Sequence, residues 1–469
     1  MSGRLAGRLF VTALVLALFV LAMPGAQAAR PDASGSELWK ALYDGPGDLW
    51  DSPVAIATSP DGAITFVTGS SWGGSSVNDY ATIAYDTATG AMLWEARFNG
   101  TKNSDDLPAA LAVSPDGSTV FVTGYTWDGV TSQQDYLTIA YDASSGTARW
   151  ATGYDSPHHG PDYPHGLAVS PDGSKIYVTG QSFAGGHLDD WATIAYDTAT
   201  GMGLWIARFD DPDHQSDYPT RIRVSPDGSH VFVSGYAYSL QTASDFVTVS
   251  YDSADGSVSW TARYDDPSHS YDFITGSGIS PDGSQLFVTG VDQSGSGSGD
   301  IVTISYDTAT GSVLWYRRLD DSTHSYDYPS DLTVSPDGAH VFVSGYVPRT
   351  TADGIVVAYD AATGSISWMS GFISVSGNEY PVGIAAGPDG SRVFVTGYTD
   401  GGSASIDWAT AGYDAATGKQ VWASRLLDIG QDSAVALTTS IDSSIVLVTG
   451  IFQTTPDGRT DFGTVAYTA

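Results

Sequence analysis

The sequence predicts an all-β fold, an eight-bladed β-propeller with four antiparallel strands per blade, and three periodic observations carry that prediction. Ser-Pro-Asp-Gly begins at Ser59, Ser114, Ser170, Ser225, Ser280 and Ser335, with variants at Gly387 and Ser440, a period of 52 to 56 residues. Ten residues after each of these positions a glycine closes a strand of the Val-Phe-Val-Thr-Gly type: Gly69, Gly124, Gly180, Gly235, Gly290, Gly345, Gly397 and Gly450. Tryptophan follows a turn glycine by four residues in every unit, giving Trp39, Trp94, Trp150, Trp205, Trp260, Trp315, Trp368 and Trp422.

In chain order, Arg4 and Arg8 precede an uncharged apolar run from Leu9 to Met23, and Ala26-Gln27-Ala28 supplies small residues for cleavage. Residues 1–28 therefore read as a signal peptide and 29–469 as one propeller domain. The apolar run falls short of the roughly 20 residues needed to span a bilayer. No membrane span and an extracytoplasmic, secreted location are expected.

Within a unit, the strand that ends in Thr-Gly is the second, and a third, such as Tyr80 to Tyr85, alternates large and small residues. Burial on both faces suits strands in stacked sheets. The third strand runs into Asp-x-x-Thr-Gly, a turn whose glycine accepts a positive φ, and the tryptophan then lies on the fourth strand. Gly35 to Tyr43 reads as a lone fourth strand and Asp461 to Tyr467 as a third. Pairing the N-terminal strand with the C-terminal three closes the ring and removes exposed edges.

Composition limits the function. The chain has no cysteine, which excludes disulfides, thiolate metal sites and a catalytic thiol. It carries 53 acids against 19 Lys and Arg, and so lacks the cationic footprint of a nucleic-acid binder. No Gly-x-Ser-x-Gly elbow in a strand-to-helix setting, His-Glu-x-x-His or phosphate-loop motif is present.

The run Asp86-Thr87-Ala88-Thr89-Gly90-Ala91-Met92-Leu93-Trp94 resembles the tryptophan-docking repeat of the quinoprotein-like (PQQ-like repeat) eight-bladed propellers. Ser170 to Gly180 is similar to the YVTN-type repeats of surface-layer propellers. The first resemblance implies tryptophans packed between blades, and in the dehydrogenases of that family it implies pyrroloquinoline quinone and calcium on the axis. Without cysteine, the adjacent-cysteine disulfide that stacks on the quinone in those enzymes has no counterpart, and only three glutamates occur. Pyrroloquinoline quinone is not expected.

Eight residues before each Ser-Pro-Asp-Gly position stands an acid: Asp51, Asp106, Asp162, Asp217, Asp272, Asp327, Glu379 and Asp432. One carboxylate per blade at the start of strand one is expected to circle the channel mouth, either as a ligand-binding or calcium site or as an Asx-type cap on backbone amides. A second series, Asp79, Asp135, Asp190, Asp245, Asp300, Asp353, Asp407 and Asp461, lies at or just before strand three and reads as structural. His159, His214, His269 and His324 each precede a ring acid by three residues. They form a candidate half-ring of metal ligands or simply a shared feature of neighbouring repeats. Arg97, Arg208, Arg263, Arg318 and Arg425, three residues after tryptophan, are expected to pair with acids between blades.

The function these signals favour is a secreted, non-catalytic scaffold that recognises a protein, glycan or cell-envelope component through its acidic loop face. The alternatives are a quinoprotein-like or metal-dependent oxidoreductase and a structural envelope-layer component. The loops ahead of strand three differ between blades, as Trp72-Gly73-Gly74-Ser75 against Ser294-Gly295-Ser296-Gly297 shows. Such variable loops are where specificity is expected.

Overall fold

A computed structural model describes residues 34–469 apart from 75–76, 128–132, 187, 295–297, 321–325, 349–351, 374–376, 401–405, 427–429 and 456–457. Residues 1–28, expected as a signal peptide, His324 and the variable loop tips at Ser75 and Gly295 to Gly297 lie outside the described residues.

Short alternating segments between tight turns give 32 strands among the described residues, from β1 (Glu37–Tyr43) to β32 (Thr460–Thr468), arranged in eight four-stranded sheets. Blade 1 holds β2 (Asp51–Thr58), β3 (Ile64–Trp72), β4 (Asn78–Asp86) and β5 (Met92–Phe98) in that spatial order, and all its pairings are antiparallel. Blades 2 to 7 repeat the pattern. In blade 8 the order is β1, β32, β31 (Ile445–Gln453) and β30 (Ser433–Thr439), with Trp39 opposite Ala466 and Tyr43 opposite Phe462. The ring is thus an eight-bladed propeller closed by the N-terminal strand.

The turn chemistry explains where strands stop. In the Ser-Pro-Asp-Gly turn, Ser59 Oγ donates to Asp61 Oδ1 at 2.5 Å and accepts from the Ile64 amide at 2.9 Å. In the next turn Asp86 Oδ1 accepts from the Thr89 amide at 2.9 Å. Both use a short polar side chain to replace backbone partners.

Strands two and three are buried on both faces, as the unbroken burial of Asp79 to Tyr85 in β4 shows. Between blades, each fourth-strand tryptophan meets the following blade's turn. Trp39 Nε1 donates to Thr87 O at 2.9 Å, Trp94 to Ala143 O at 2.9 Å, Trp150 to Thr198 O at 2.8 Å and Trp205 to Ser253 O at 3.1 Å. Trp260, Trp315 and Trp368 do the same to Thr308, Ala361 and Ala415, and Trp422 packs on Gly35 where the ring closes. The glycine is required twice over: at Gly256 φ is +75°, and a Cβ there would lie 2.6 Å from Trp205 Cε3.

Every first strand carries one irregularity. Pairing with strand two skips a residue after the position of Pro53, leaving Val54, Ala109, His165, Thr220, Thr275, Ser330, Val382 and Val435 unpaired. Such a bulge bends the strand and re-aims one side chain.

Candidate functional site

The loops from strand four to the next strand one, and from strand two to strand three, share one face of the disc. The ring acids hold these loops down. Each described carboxylate of the ring is buried: Asp51, Asp106, Asp162, Asp217, Asp272, Asp327, Glu379 and Asp432 are all at most 6% exposed. Asp51 Oδ2 accepts from the Gly45 amide at 2.6 Å and Oδ1 from the Trp72 amide at 3.1 Å. Asp162 repeats this with the amides of Ser156 at 2.6 Å and Phe183 at 2.8 Å. The amide six residues upstream is also bound by Asp106, Asp217 and Asp272 (Gly100, Asp211 and Asp266), and Asp432 takes the Gln453 amide at 2.8 Å. Glu379 faces the Ile373 amide at 3.4 Å. Asp51, Asp106 and Asp162 thus staple the incoming loop to strand two, and Asp217 and Asp272 hold the loop through one oxygen, under the surface of the mouth.

Burial raises their proton affinity, because a charged carboxylate loses water on leaving solvent. Asp217 is pushed up to about 8 and so is Asp272, in both cases mainly by burial, then offset by the loop amide and raised again by neighbouring aspartates. Asp51, Asp106 and Asp162 are raised for the same first reason.

The described histidines stand outside this layer. His159, His214 and His269 are exposed, and each Nδ1 bonds a carboxylate four residues upstream, on Asp155, Asp210 and Asp265, at 2.6, 2.6 and 2.7 Å. All three adopt positive φ, as do Asp48 and Asn103 at the same place in other blades. Asn, Asp and His are the residues that tolerate this conformation best, which accounts for histidine recurring there. None of the three joins a cluster of potential ligands among the described residues.

The second acidic series meets the arginines within a blade rather than between blades as expected, although Arg263 also reaches Asp211 in the loop leaving the preceding blade. Arg97 pairs with Asp79 at 3.0 Å, Arg208 with Asp190 at 3.2 Å, Arg263 with Asp245 at 2.5 Å and Arg425 with Asp407 at 2.5 Å, and Arg318 pairs with Asp300. The reason is register: Arg97 lies opposite Ala81, two residues from Asp79. At Arg97 and Arg208 the link between blades is a phenol, since Arg97 donates to Tyr43 Oη at 2.8 Å and Arg208 to Tyr154 Oη at 2.9 Å.

An arc of aromatic rings, unforeseen from the sequence, lies along the mouth of blades 4 to 7. Tyr218 stacks on Tyr236 at 5.1 Å, Tyr236 meets Phe273 at 6.4 Å, and Phe273 meets Tyr328 at 5.9 Å. The chain continues through Tyr346 and Tyr380 to Tyr398, at 5.7, 5.1 and 5.0 Å. Its members come from the residue after each ring acid and the residue after each strand-two glycine. The bulge residues Thr220, Thr275 and Ser330 join Tyr236, Tyr271 and Tyr328 around an open cavity of about 650 Å³. Arg221 is at its wall, and Arg221 and Arg223 act electrostatically on Asp331, two blades further round. The cavity thus combines rigid amphipathic rings, small hydroxyls and a guanidinium, the mixture by which proteins grip another molecule's surface.

Fold and repeat together define an eight-bladed propeller of the quinoprotein-like class. The profile of the family described as outer membrane protein assembly factor BamB matches residues 26–245 and 243–371, and the chain belongs to that family. Similar solved structures include *Chaetomium thermophilum* Sqt1 bound to the N-terminus of the ribosomal protein L10, at 12% identity and a TM-score of 0.60 over 93% of this chain and 100% of that one. Quinohemoprotein alcohol dehydrogenase ADHIIG from *Pseudomonas putida* HK5 is similar at 14% identity and a TM-score of 0.58, covering 93% and 76%. BamB from *Moraxella catarrhalis* is similar at 17% identity and a TM-score of 0.50, covering 93% and 100%. At these identities the likeness is one of fold. A comparison with curated protein sequences finds no match. No helix among the described residues is long and apolar enough to cross a membrane.

Proposed function

We propose that the chain is exported and acts outside the cytoplasm as a non-catalytic scaffold that holds a polypeptide segment of a partner protein on its loop face. The observation that carries this reading is the tyrosine arc over the 650 Å³ cavity. Tyrosine offers a large rigid contact at low entropic cost and a hydroxyl for the partner's backbone. The buried acid staples keep the mouth in one shape, which lowers the ordering cost of binding. Membership of the BamB family and the peptide-bound state of the similar Sqt1 propeller support a protein partner. The Arg4 to Ala28 segment supports export.

The test is selection from a displayed library of unstructured peptides on the immobilised chain, repeated with the Tyr236→Ala, Tyr271→Ala double variant and beside a glycan array. Enrichment of peptides that is lost in the variant supports the reading. Glycan binding without peptide enrichment, or peptide enrichment indifferent to the two tyrosines, overturns it.

A further inference from the structure

The junction between blades 4 and 5 gathers carboxylates at short range. Asp245 lies on the third strand of blade 4 (Ala243–Asp252), Asp265 in the loop leaving that blade, and Asp272 opens blade 5 (Asp272–Ile279 being its first strand). Each brings one carboxylate oxygen within 4.8 Å of the other two. Clustering alone is common in an acidic protein. What separates this trio is how the remaining oxygens are used. Asp245 and Asp272 are fully buried at 0% exposure, and Oδ1 of Asp245, Asp265 and Asp272 is in each case buried without a hydrogen-bond donor.

The partner oxygens are all engaged. Asp245 Oδ2 accepts from Thr242 Oγ1 at 2.7 Å and from Arg263, Asp265 Oδ2 is bonded to His269 Nδ1 at 2.7 Å, and Asp272 Oδ2 accepts from the Asp266 amide at 3.1 Å. Every carboxylate is thus oriented through one oxygen and keeps the other without a donor, as metal ligands held by outer contacts do. The donors are all oxygen, which favours a hard cation over zinc or copper. Calcium–oxygen bonds of about 2.4 Å let two ligands of one ion lie as far as about 4.8 Å apart, and calcium accepts irregular geometry completed by water.

We propose that Asp245, Asp265 and Asp272 bind a calcium ion that clamps blade 4 to blade 5 beneath the loop face. The inference is independent of what the tyrosine arc binds. Equivalent positions gather within the same limit at three other junctions, as Asp135, Asp155 and Asp162, as Asp300, Asp320 and Asp327, and as Asp461, Asp44 and Asp51. The site is therefore a property of the repeat. At the junction of blades 3 and 4 the corresponding Asp190, Asp210 and Asp217 form no such group among the described residues.

Calcium titration calorimetry on chelator-stripped full chain, with terbium luminescence sensitised by the protein's tyrosines and tryptophans, tests this. Asp265→Asn, on the exposed side of the trio, is expected to lower the calcium stoichiometry by one site, or to weaken that site by about tenfold or more, and to reduce the calcium-induced rise in melting temperature. Asp210→Asn is expected to leave all three readouts at the wild-type values. Intact tryptophan fluorescence checks that Asp265→Asn folds; if it does not, Asp320→Asn, at the equivalent position of the next junction, takes its place with the same expectation. No calcium binding up to about 10 mM, beyond the usual range of extracellular calcium modules, overturns the proposal. So does binding that Asp265→Asn and Asp320→Asn leave unchanged.

Discussion

Replacing Asp217 by asparagine removes one buried titration while keeping the loop staple, since the amide oxygen of Asn still accepts from the Asp211 N–H, now 2.8 Å from Asp217 Oδ2. The carboxyl of Asp217 is pushed up to about 8 by burial, with Asp211, Asp190 and Asp210 adding repulsion. In the unfolded chain it ionises near the ordinary aspartate value of about 3.9. Between those two values the folded state holds a proton that the unfolded state has lost, so stability falls as pH rises. The slope is about 1.4 kcal/mol per pH unit, and three units from pH 5 to pH 8 cost the wild type about 2–4 kcal/mol that the variant does not lose. Unfolding entropy of about 2 cal/mol/K per residue over a chain of this length converts that into a shift of about 2–4 °C. Calorimetric melting in excess chelator is therefore expected to give Asp217→Asn a higher midpoint than the wild type at pH 8, with the gap widening by about 2–4 °C between pH 5 and pH 8. Asp272, which titrates in the same window, is common to both proteins and cancels in the difference. Equal midpoints at pH 8, or a variant that melts lower at both pH values, would refute the assignment of Asp217 as a carboxyl that folding keeps protonated.

Gly256→Ala is expected to cost about 2–4 kcal/mol, from a disfavoured positive φ and a Cβ driven into Trp205, read as a lower melting midpoint. Asp162→Ala leaves the buried amides of Ser156 and Phe183 without their acceptor; a loss of about 2–4 kcal/mol and faster hydrogen exchange at those two amides are expected. Deleting residues 34–43 exposes the edge of β32 (Thr460–Thr468), and concentration-dependent association in analytical ultracentrifugation is the expected outcome.

The eight blades and their closure were legible in the sequence because each blade is one repeat of a period that is printed eight times. Ser59, Gly69, Gly90 and Trp94 have local jobs, a turn, a strand end, a positive φ and a docking ring, so their spacing is itself the blade. The ring acids were legible as a series for the same reason. Which of the two expected roles they fill was not. Whether Asp162 faces solvent or two amides depends on how the loop at Ser156 folds over it, and that loop is closed by a contact with the end of strand two, 21 residues further along.

The tyrosine arc was out of reach for a different reason. Tyr236, Phe273 and Tyr328 belong to three blades and lie some 37 and 55 residues apart, and nothing local in any one repeat requires the ring of the next. The bulge after the ring acid, which turns Thr220, Thr275 and Ser330 toward the cavity, is likewise a shift of register that a period-two pattern does not show. The sequence by itself determined the repeat, the turns and the interlocking tryptophans, because those follow from residues a few positions apart. Only the closed ring decided which side chains share a surface, because it sets neighbouring blades edge to edge and converts one residue per repeat into a continuous wall.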